Sequence, residues 1–304
     1  MSDTPATPDV ATATAPTLPT SPAHRESLAK AQRRMQRKWW QQPLFILGLA
    51  ILAVWLVLAL LAPYITPYGV FQQIHPRYAP PSADAWFGAD EVGRDVFTRV
   101  IYGARLSIPF GVMLVLMSAF IGAVLGGISG YVGGWTDELI MRFTDMVMSF
   151  PTIILALAVA AVLGPGLLNA AAAISLVSWP PFARVVRSYI LSLREQDFVS
   201  AGRLLGASTR RVLIRDIVPN VGGPLTVLVM LEMGTAILLL AGLSFLGLGA
   251  QPPSAEWGRM VADGAAVLDR WWVGSFAGGA ILSVVLALNL IGDTLRDFVD
   301  PKLT

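Results

Sequence analysis

Long stretches without charged residues constrain the fold of this chain more than any other feature of its sequence. The first, Leu44–Ala62, is 19 residues long and contains no charge. Four further stretches are charge-free or carry a single acid: 106–136, 146–183, 217–255 and 271–292. A helix of about 20 apolar residues is long enough to span a bilayer. Such segments are helical because backbone groups in hydrocarbon must be hydrogen-bonded within their own segment. The pattern predicts an all-α membrane protein.

One of these stretches is expected to hold two spans. Residues 146–183 are 38 residues, too many for one helix, and Gly164-Pro165-Gly166 interrupts them. The predicted total is six transmembrane helices, near residues 44–62, 107–130, 147–163, 167–188, 222–246 and 273–292. Together they form one predicted membrane domain, residues 41–304.

Residues 1–40 form a separate N-terminal tail in this prediction. Residues 1–23 are rich in Thr, Ala and Pro, which is typical of disorder, and residues 24–40 are basic. Trp39 and Trp40 lie just before the first apolar stretch, where aromatic residues anchor helices at the membrane surface. The alternative for residues 24–40 is a solvated basic helix without a specific partner.

The distribution of Arg and Lys predicts the side on which the termini lie. With six spans, both termini share one side with the connections 133–145 and 184–216. That side holds 16 Arg and Lys residues, and the other side holds 6. Because positive residues accumulate on the cytoplasmic side, both termini are expected in the cytoplasm.

The composition argues against an ordinary soluble enzyme. Charged residues make up 14% of the chain, against about 25% in soluble domains. The lysines, Lys30, Lys38 and Lys302, do not form the G-x-x-x-x-G-K motif of nucleotide-binding P-loops, and the chain has no Cys. We therefore predict no catalytic residue, cofactor site or metal site in the chain, and no nucleic-acid partner.

Two features inside the spans are candidates for function. Glu232 is the one acid predicted at mid-span, where a charge is costly unless it faces the bundle interior or a wet cavity. It forms either a structural hydrogen bond or part of the translocation path. In the second span, glycines recur every fourth residue and predict either close helix packing or a contact that slides between states: Gly122, Gly126, Gly130 and Gly134.

A polar connection, residues 190–220, follows the fourth predicted span. A helical stretch from Phe198 to Leu205 is followed by Gly206, and a second helix is predicted up to Pro219. A rigid projection of this kind can dock into a groove of a soluble partner. The alternative is a passive surface loop.

This connection resembles the EAA loop of ABC importer membrane subunits, most closely that of the dipeptide, oligopeptide and nickel permease family. Residues 197–208 read DFVSAGRLLGAS, residues 217–220 read IVPN, and 13 positions separate Gly206 from Pro219. Ser-Ala-Gly at 200–202 replaces the Glu-Ala-Ala of the family. The resemblance implies an ATPase-coupling loop formed by Phe198, Val199, Ser200, Ala201, Gly202, Arg203, Leu204, Leu205 and Gly206.

Three other segments resemble the same family in the same order. Residues 87–95 read FGADEVGRD, residues 243–249 read LSFLGLG, and residues 288–303 read LNLIGDTLRDFVDPKL. The resemblance covers about residues 44–304 and is closest to the C-type subunit of dipeptide and oligopeptide permeases. It implies the type I ABC importer transmembrane fold in a bacterial inner membrane.

The family implies a permease subunit that forms a path for peptides and leaves ATP hydrolysis to other proteins. Its implied partners are a second homologous permease in a heterodimer, two ABC ATPases that bind ATP and Mg, an external substrate-binding protein and membrane lipid. Nickel complexes and glutathione are alternative substrates. An autonomous secondary transporter is the alternative of another class, but such carriers usually hold several ionisable groups within the membrane, and only Glu232 is predicted there.

Overall fold

The computed structural model describes four parts of the chain: residues 42–197, 211, 215 and 218–299. Regular structure in these parts is helical, apart from two isolated β-bridges. The all-α fold class is thereby confirmed for the described residues. The predicted tail 1–40 and the predicted coupling loop 198–206 lie outside them.

The described helices differ widely in length. In chain order they are α1 (Pro43–Ile65), α2 (Val96–Val132), α3 (Gly134–Met148), α4 (Thr152–Leu163), α5 (Leu167–Val177), α6 (Pro180–Arg194), α7 (Val218–Phe245), α8 (Trp257–Ala265) and α9 (Trp272–Val299). The helices α1, α2, α7 and α9 are each long and apolar enough to cross a membrane. Helices α3 and α4 make a fifth crossing if they count as one span, with a bend of 93° between them. The described residues thus support four or five spans.

Four predicted spans coincide with the four long helices. The predicted spans 44–62, 107–130 and 273–292 lie within α1, α2 and α9, and α7 covers 222–246 except for the last residue. Helix α2 begins earlier than its predicted span, at Val96 in a charged segment. Asp95 makes this start favourable, because its carboxylate accepts the free N–H of Thr98 at 2.7 Å.

The structure divides the predicted spans 147–163 and 167–188 more finely. Helix α4 has 12 residues and α5 has 11. At 1.5 Å per residue these are about 18 and 16 Å long, short of a hydrocarbon core of about 30 Å. Pro151 precedes α4, and α6 starts at Pro180. Proline has no N–H to donate to the carbonyl four residues earlier, which explains both breaks.

The turn at 164–166, where the sequence predicts a break, carries its own hydrogen-bond partners. The Asn169 side-chain amide donates to the carbonyls of Leu163 and Gly164 at 2.9 and 3.1 Å. The backbone N–H of Gly166 donates to the Leu248 carbonyl at 3.1 Å. Two of the carbonyls that the end of α4 leaves free are therefore bound within the chain.

Helix α2 lies at the centre of the described helices and makes its most extensive contact with α6. Gly122, Gly126 and Gly130 face α6, and a Cβ at Gly126 would lie only 2.3 Å from the carbonyl oxygen of Ala183. The predicted close packing is confirmed for these three glycines. Gly134 does not share it, because it is the first residue of α3 and has no described atom near its Cβ position.

The outward surfaces of the long helices are apolar. Leu56 and Leu60 on α1, Phe120 on α2 and Leu282 on α9 each expose 60% or more of their surface. Contiguous apolar surface of this kind requires a lipid or protein covering. The charged residues instead gather near the ends of helices, where the functional candidates lie.

Candidate functional site

Glu232 lies near the middle of α7 with a half-buried side chain. No hydrogen bond or ion pair joins its carboxylate to another described residue. The neighbouring Met233 and Ile237 line an apolar cavity of about 400 Å³ between α1, α2, α7 and α9, which Glu232 does not line. Its place in the translocation path stays a prediction.

A buried ion cluster lies where α2 begins; we call Asp90, Arg94 and Arg99 the N-end cluster. Asp90 Oδ2 accepts a hydrogen bond from Arg94 Nε at 2.6 Å and lies 3.4 Å from Arg99 Nε. The three residues expose between 2% and 6% of their surface. Arg99 also donates to the carbonyls of Pro253 and Ser254, at 3.3 and 3.0 Å. The cluster therefore ties the α1–α2 connection to the α7–α8 connection.

The turn that presents Arg94 depends on Gly93. This residue has a φ of +84°, and a Cβ on it would lie 2.2 Å from the His75 carbonyl oxygen. Only glycine fits such a conformation at such a distance without strain. The GRD part of the family-like segment is thus a tight turn whose arginine binds Asp90, four residues earlier, while Asp95 caps α2.

Glu256 fixes the start of α8 against α2. Its carboxylate accepts the backbone N–H groups of Gly258 and Arg259, both at 2.9 Å, and the Ser107 hydroxyl at 3.2 Å. Burial raises the pKa of Glu256, and the hydrogen bonds it accepts oppose part of that rise. The sequence did not reveal this residue, because Glu is not a preferred helix cap.

A second polar cluster lies where α2 ends. We call it the C-end cluster, and its members are Ser129, Asp137, Arg187 and Arg194. Arg187 of α6 donates two hydrogen bonds to Asp137 of α3, from Nε to Oδ1 at 2.5 Å and from Nη2 to Oδ2 at 2.6 Å. Ser129 of α2 also donates its hydroxyl to Asp137. One carboxylate therefore joins three helices.

Arg194, the last residue of α6, binds the end of α2. Its Nη1 donates to the carbonyls of Gly130 and Tyr131 at 2.9 and 3.2 Å. The last carbonyls of a helix carry partial negative charge, so a cation there is favourable. The predicted coupling loop, 198–206, begins four residues after Arg194. The C-end cluster thus lies at the described end of the helix that leads into that loop.

Two exposed ion pairs lie near the C-end cluster. Arg184 of α6 binds Asp145 of α3 at 2.6 Å, and both side chains are largely exposed. Arg142 and Glu138 pair at 2.6 Å within α3, with side chains 75% and 55% exposed. Such pairs contribute little because water solvates them well. Asp137–Arg187 is the better shielded link between α3 and α6.

Among the described residues, no group of three or more His, Cys, Asp or Glu side chains could hold a metal ion. The two clusters consist of ion pairs and hydrogen bonds to carbonyls. Their evident effect is to hold helices and connections in place.

Apolar helices with charges gathered near their ends define a multi-pass integral membrane protein. The chain belongs to the family described as binding-protein-dependent transport system inner membrane component, whose model matches residues 122–304. Residues 33–81 match the N-terminal transmembrane domain of oligopeptide transport permease C. The resemblance to peptide permeases found in the sequence is thereby confirmed.

Known relatives cover most of the chain. The dipeptide transport system permease protein of Alkalihalophilus pseudofirmus is 45% identical over 263 residues, 86% of either chain. The probable D,D-dipeptide transport system permease protein of Escherichia coli K12 is 43% identical, covering 86% of this chain and 88% of that one. A glutathione transport system permease protein of Escherichia coli O6 is 42% identical, covering 88% and 89%.

One solved structure of the MetNI methionine ABC transporter gives a TM-score of 0.49 at 17% identity, covering 64% of this chain and 94% of that one. This likeness is too low to support a conclusion.

Proposed function

We propose that this chain is a permease subunit of an ATP-binding-cassette importer for peptides. The similarity to the dipeptide permease over most of both chains carries this proposal. The chain adopts the type I transmembrane fold with six spans, in which α3–α4 and α5–α6 are the third and fourth. Both termini are cytoplasmic, as the Arg and Lys distribution favours.

The chain uses ATP only through partners. Two ATPase subunits bind ATP and Mg, and the loop 198–206 receives their motion on the cytoplasmic side. The lack of a P-loop lysine supports this division of labour. A second, homologous permease completes the path as a heterodimer, because two subunits can enclose a path and rock between inward-facing and outward-facing states.

The opposite face receives substrate from an external binding protein. The connections 66–95 and 246–256 form this face, and the N-end cluster joins them. Docking on a fixed surface costs less conformational entropy than docking on mobile loops. Peptides are the proposed substrates; glutathione is the second candidate, because one relative of 42% identity is named for its transport.

The test is uptake of a labelled dipeptide into vesicles that hold the copurified complex. We expect accumulation that requires ATP, the ATPases and loaded binding protein. The same uptake measurement with glutathione-loaded binding protein tests the second candidate substrate. Accumulation against a gradient by this chain alone would contradict the proposal and favour a secondary transporter.

The coupling loop has its own test. Deletion of 198–206, or Gly206→Pro, is expected to abolish ATP-driven uptake while the chain still inserts into the membrane, because the surface that receives the ATPases is lost. Uptake and copurification of the ATPases are measured on the same preparation. Retained uptake would remove the loop from the mechanism.

A further inference from the structure

Helices α2 and α6 approach each other so closely that their backbones touch. A Cβ at Gly126 would lie 2.3 Å from the Ala183 carbonyl oxygen, and one at Gly130 would lie 3.0 Å from the Arg187 carbonyl oxygen. At these two positions the nearest atoms of α6 are backbone atoms. Movement of one helix along the other would make backbone atoms overlap, because interiors packed this tightly have low compressibility.

Polar contacts close the same interface at the end of α2. The pair Asp137–Arg187 joins α3 to α6, with side chains only 19% and 32% exposed. The planar guanidinium and the carboxylate meet in two parallel hydrogen bonds, which fix direction as well as distance. Ser129 and Arg194 add bonds from α2 to α3 and from α6 to α2.

We propose that Asp137 and Arg187 are positioning residues for transport. They hold α2, α3 and α6 as one rigid body. Motion that the ATPases transmit to the loop 198–206, after Arg194, therefore turns the central helix α2 instead of displacing α6 alone. The proposal rests on the proposed function, because it concerns how the loop's motion reaches the membrane helices. The contact of α2 with α6 does not slide during the cycle.

The chain offers a matched control for the charge. Glu138 is the residue next to Asp137, lies on the same helix and forms an ion pair of similar length with Arg142. That pair stays within α3 and is exposed to water, so it joins no other helix. Loss of Glu138 removes an acid from α3 but leaves the rigid body intact.

The experiment compares dipeptide uptake per ATP hydrolysed in the full complex. In Asp137→Ala we expect uptake per ATP to fall about tenfold, within the range of coupling free energies between sites, while ATP hydrolysis and assembly persist. Glu138→Ala is expected to match the unmodified complex. The charge reversal Asp137→Arg with Arg187→Asp should regain uptake, which a variant that merely folds poorly would not do.

A disulfide tests rigidity directly, because the natural chain has no Cys. A Cβ at Gly130 would lie 3.1 Å from Ile190 Cβ, so the helices need to separate by only a few tenths of an ångström to reach the roughly 3.5–4.5 Å of disulfides. Gly130→Cys with Ile190→Cys should crosslink at the same rate with and without ATP. The oxidised complex should still take up dipeptide, and the same crosslink should restore coupling to Asp137→Ala until it is reduced. Each single Cys variant is a control.

Three results would overturn the rigid body: unchanged uptake per ATP in Asp137→Ala, a crosslinking rate that changes with ATP, or loss of uptake on oxidation alone. An unmodified complex without any ATP-driven uptake would contradict the proposed function instead. In that case, the crosslinking rate with and without ATP would still show whether α2 and α6 move as one rigid body.

Discussion

Helix α2 is held at both ends by arginine–aspartate pairs, but the two ends differ in their contact with water. Arg99 at the first end is 2% exposed and binds backbone carbonyls of a distant connection. At the other end, the side chains of Arg187 and Asp137 are 32% and 19% exposed and join helices. A desolvated pair is very costly to break once formed, whereas a partly hydrated pair has water as a substitute partner. The first end is therefore the more costly of the two to break, and the second is a rigid connection between helices that can be broken without unfolding the chain.

Replacement of the two arginines by alanine is the strongest test of this contrast. Arg99→Ala leaves Asp90 with one cation and three carbonyls without this donor, so we expect a loss of about 3–5 kcal/mol and little folded complex. Arg187→Ala should cost about 1–2 kcal/mol and assemble normally. Thermal unfolding of purified complex measures both. Equal losses would mean that burial does not distinguish the two ends.

The turn at the N-end cluster provides the next largest effect. Gly93→Ala adds a Cβ that would lie 2.2 Å from a carbonyl oxygen, at a φ of +84°, so we expect a loss of about 1–3 kcal/mol. Gly127→Ala is the control, because its Cβ meets no described atom within 4 Å and alanine favours a helix by about 0.5–1 kcal/mol. Thermal midpoints should move in opposite directions. A stable Gly93→Ala would show that the turn can open.

The smallest expected effect concerns pH at Glu256. Its pKa in the folded protein is raised, so the unfolded chain releases this proton first as pH increases. The contribution of Glu256 to the free energy of unfolding therefore declines as pH rises above about 4.5. It becomes constant once the pH exceeds the pKa of Glu256 in the folded protein. Glu256→Gln does not titrate. The difference in thermal midpoint, variant minus unmodified, should increase with pH over that window; a flat difference would contradict the burial cost.

The positions of the charge-free stretches were enough to locate the long helices, because a stretch such as Leu44–Ala62 has few stable forms in lipid other than a helix. The finer breaks escaped prediction because the Gly-Pro-Gly turn explained the excess length of 146–183, leaving Pro151 and Pro180 without a role. The partner of Asp137 lies 50 residues away and becomes its neighbour only through the packing of α2 on α6. Glu256 likewise acquires its role from Ser107, 149 residues earlier in the chain.

The turn between α4 and α5 has a consequence for depth. Asn169 binds the carbonyls of Leu163 and Gly164, and the Leu248 carbonyl binds the N–H of Gly166, so these three groups do not depend on water. Because Leu248 belongs to the connection 246–256, which the proposed function places on the external face, the chain reverses direction at the level of that face and the two half-length helices share its depth.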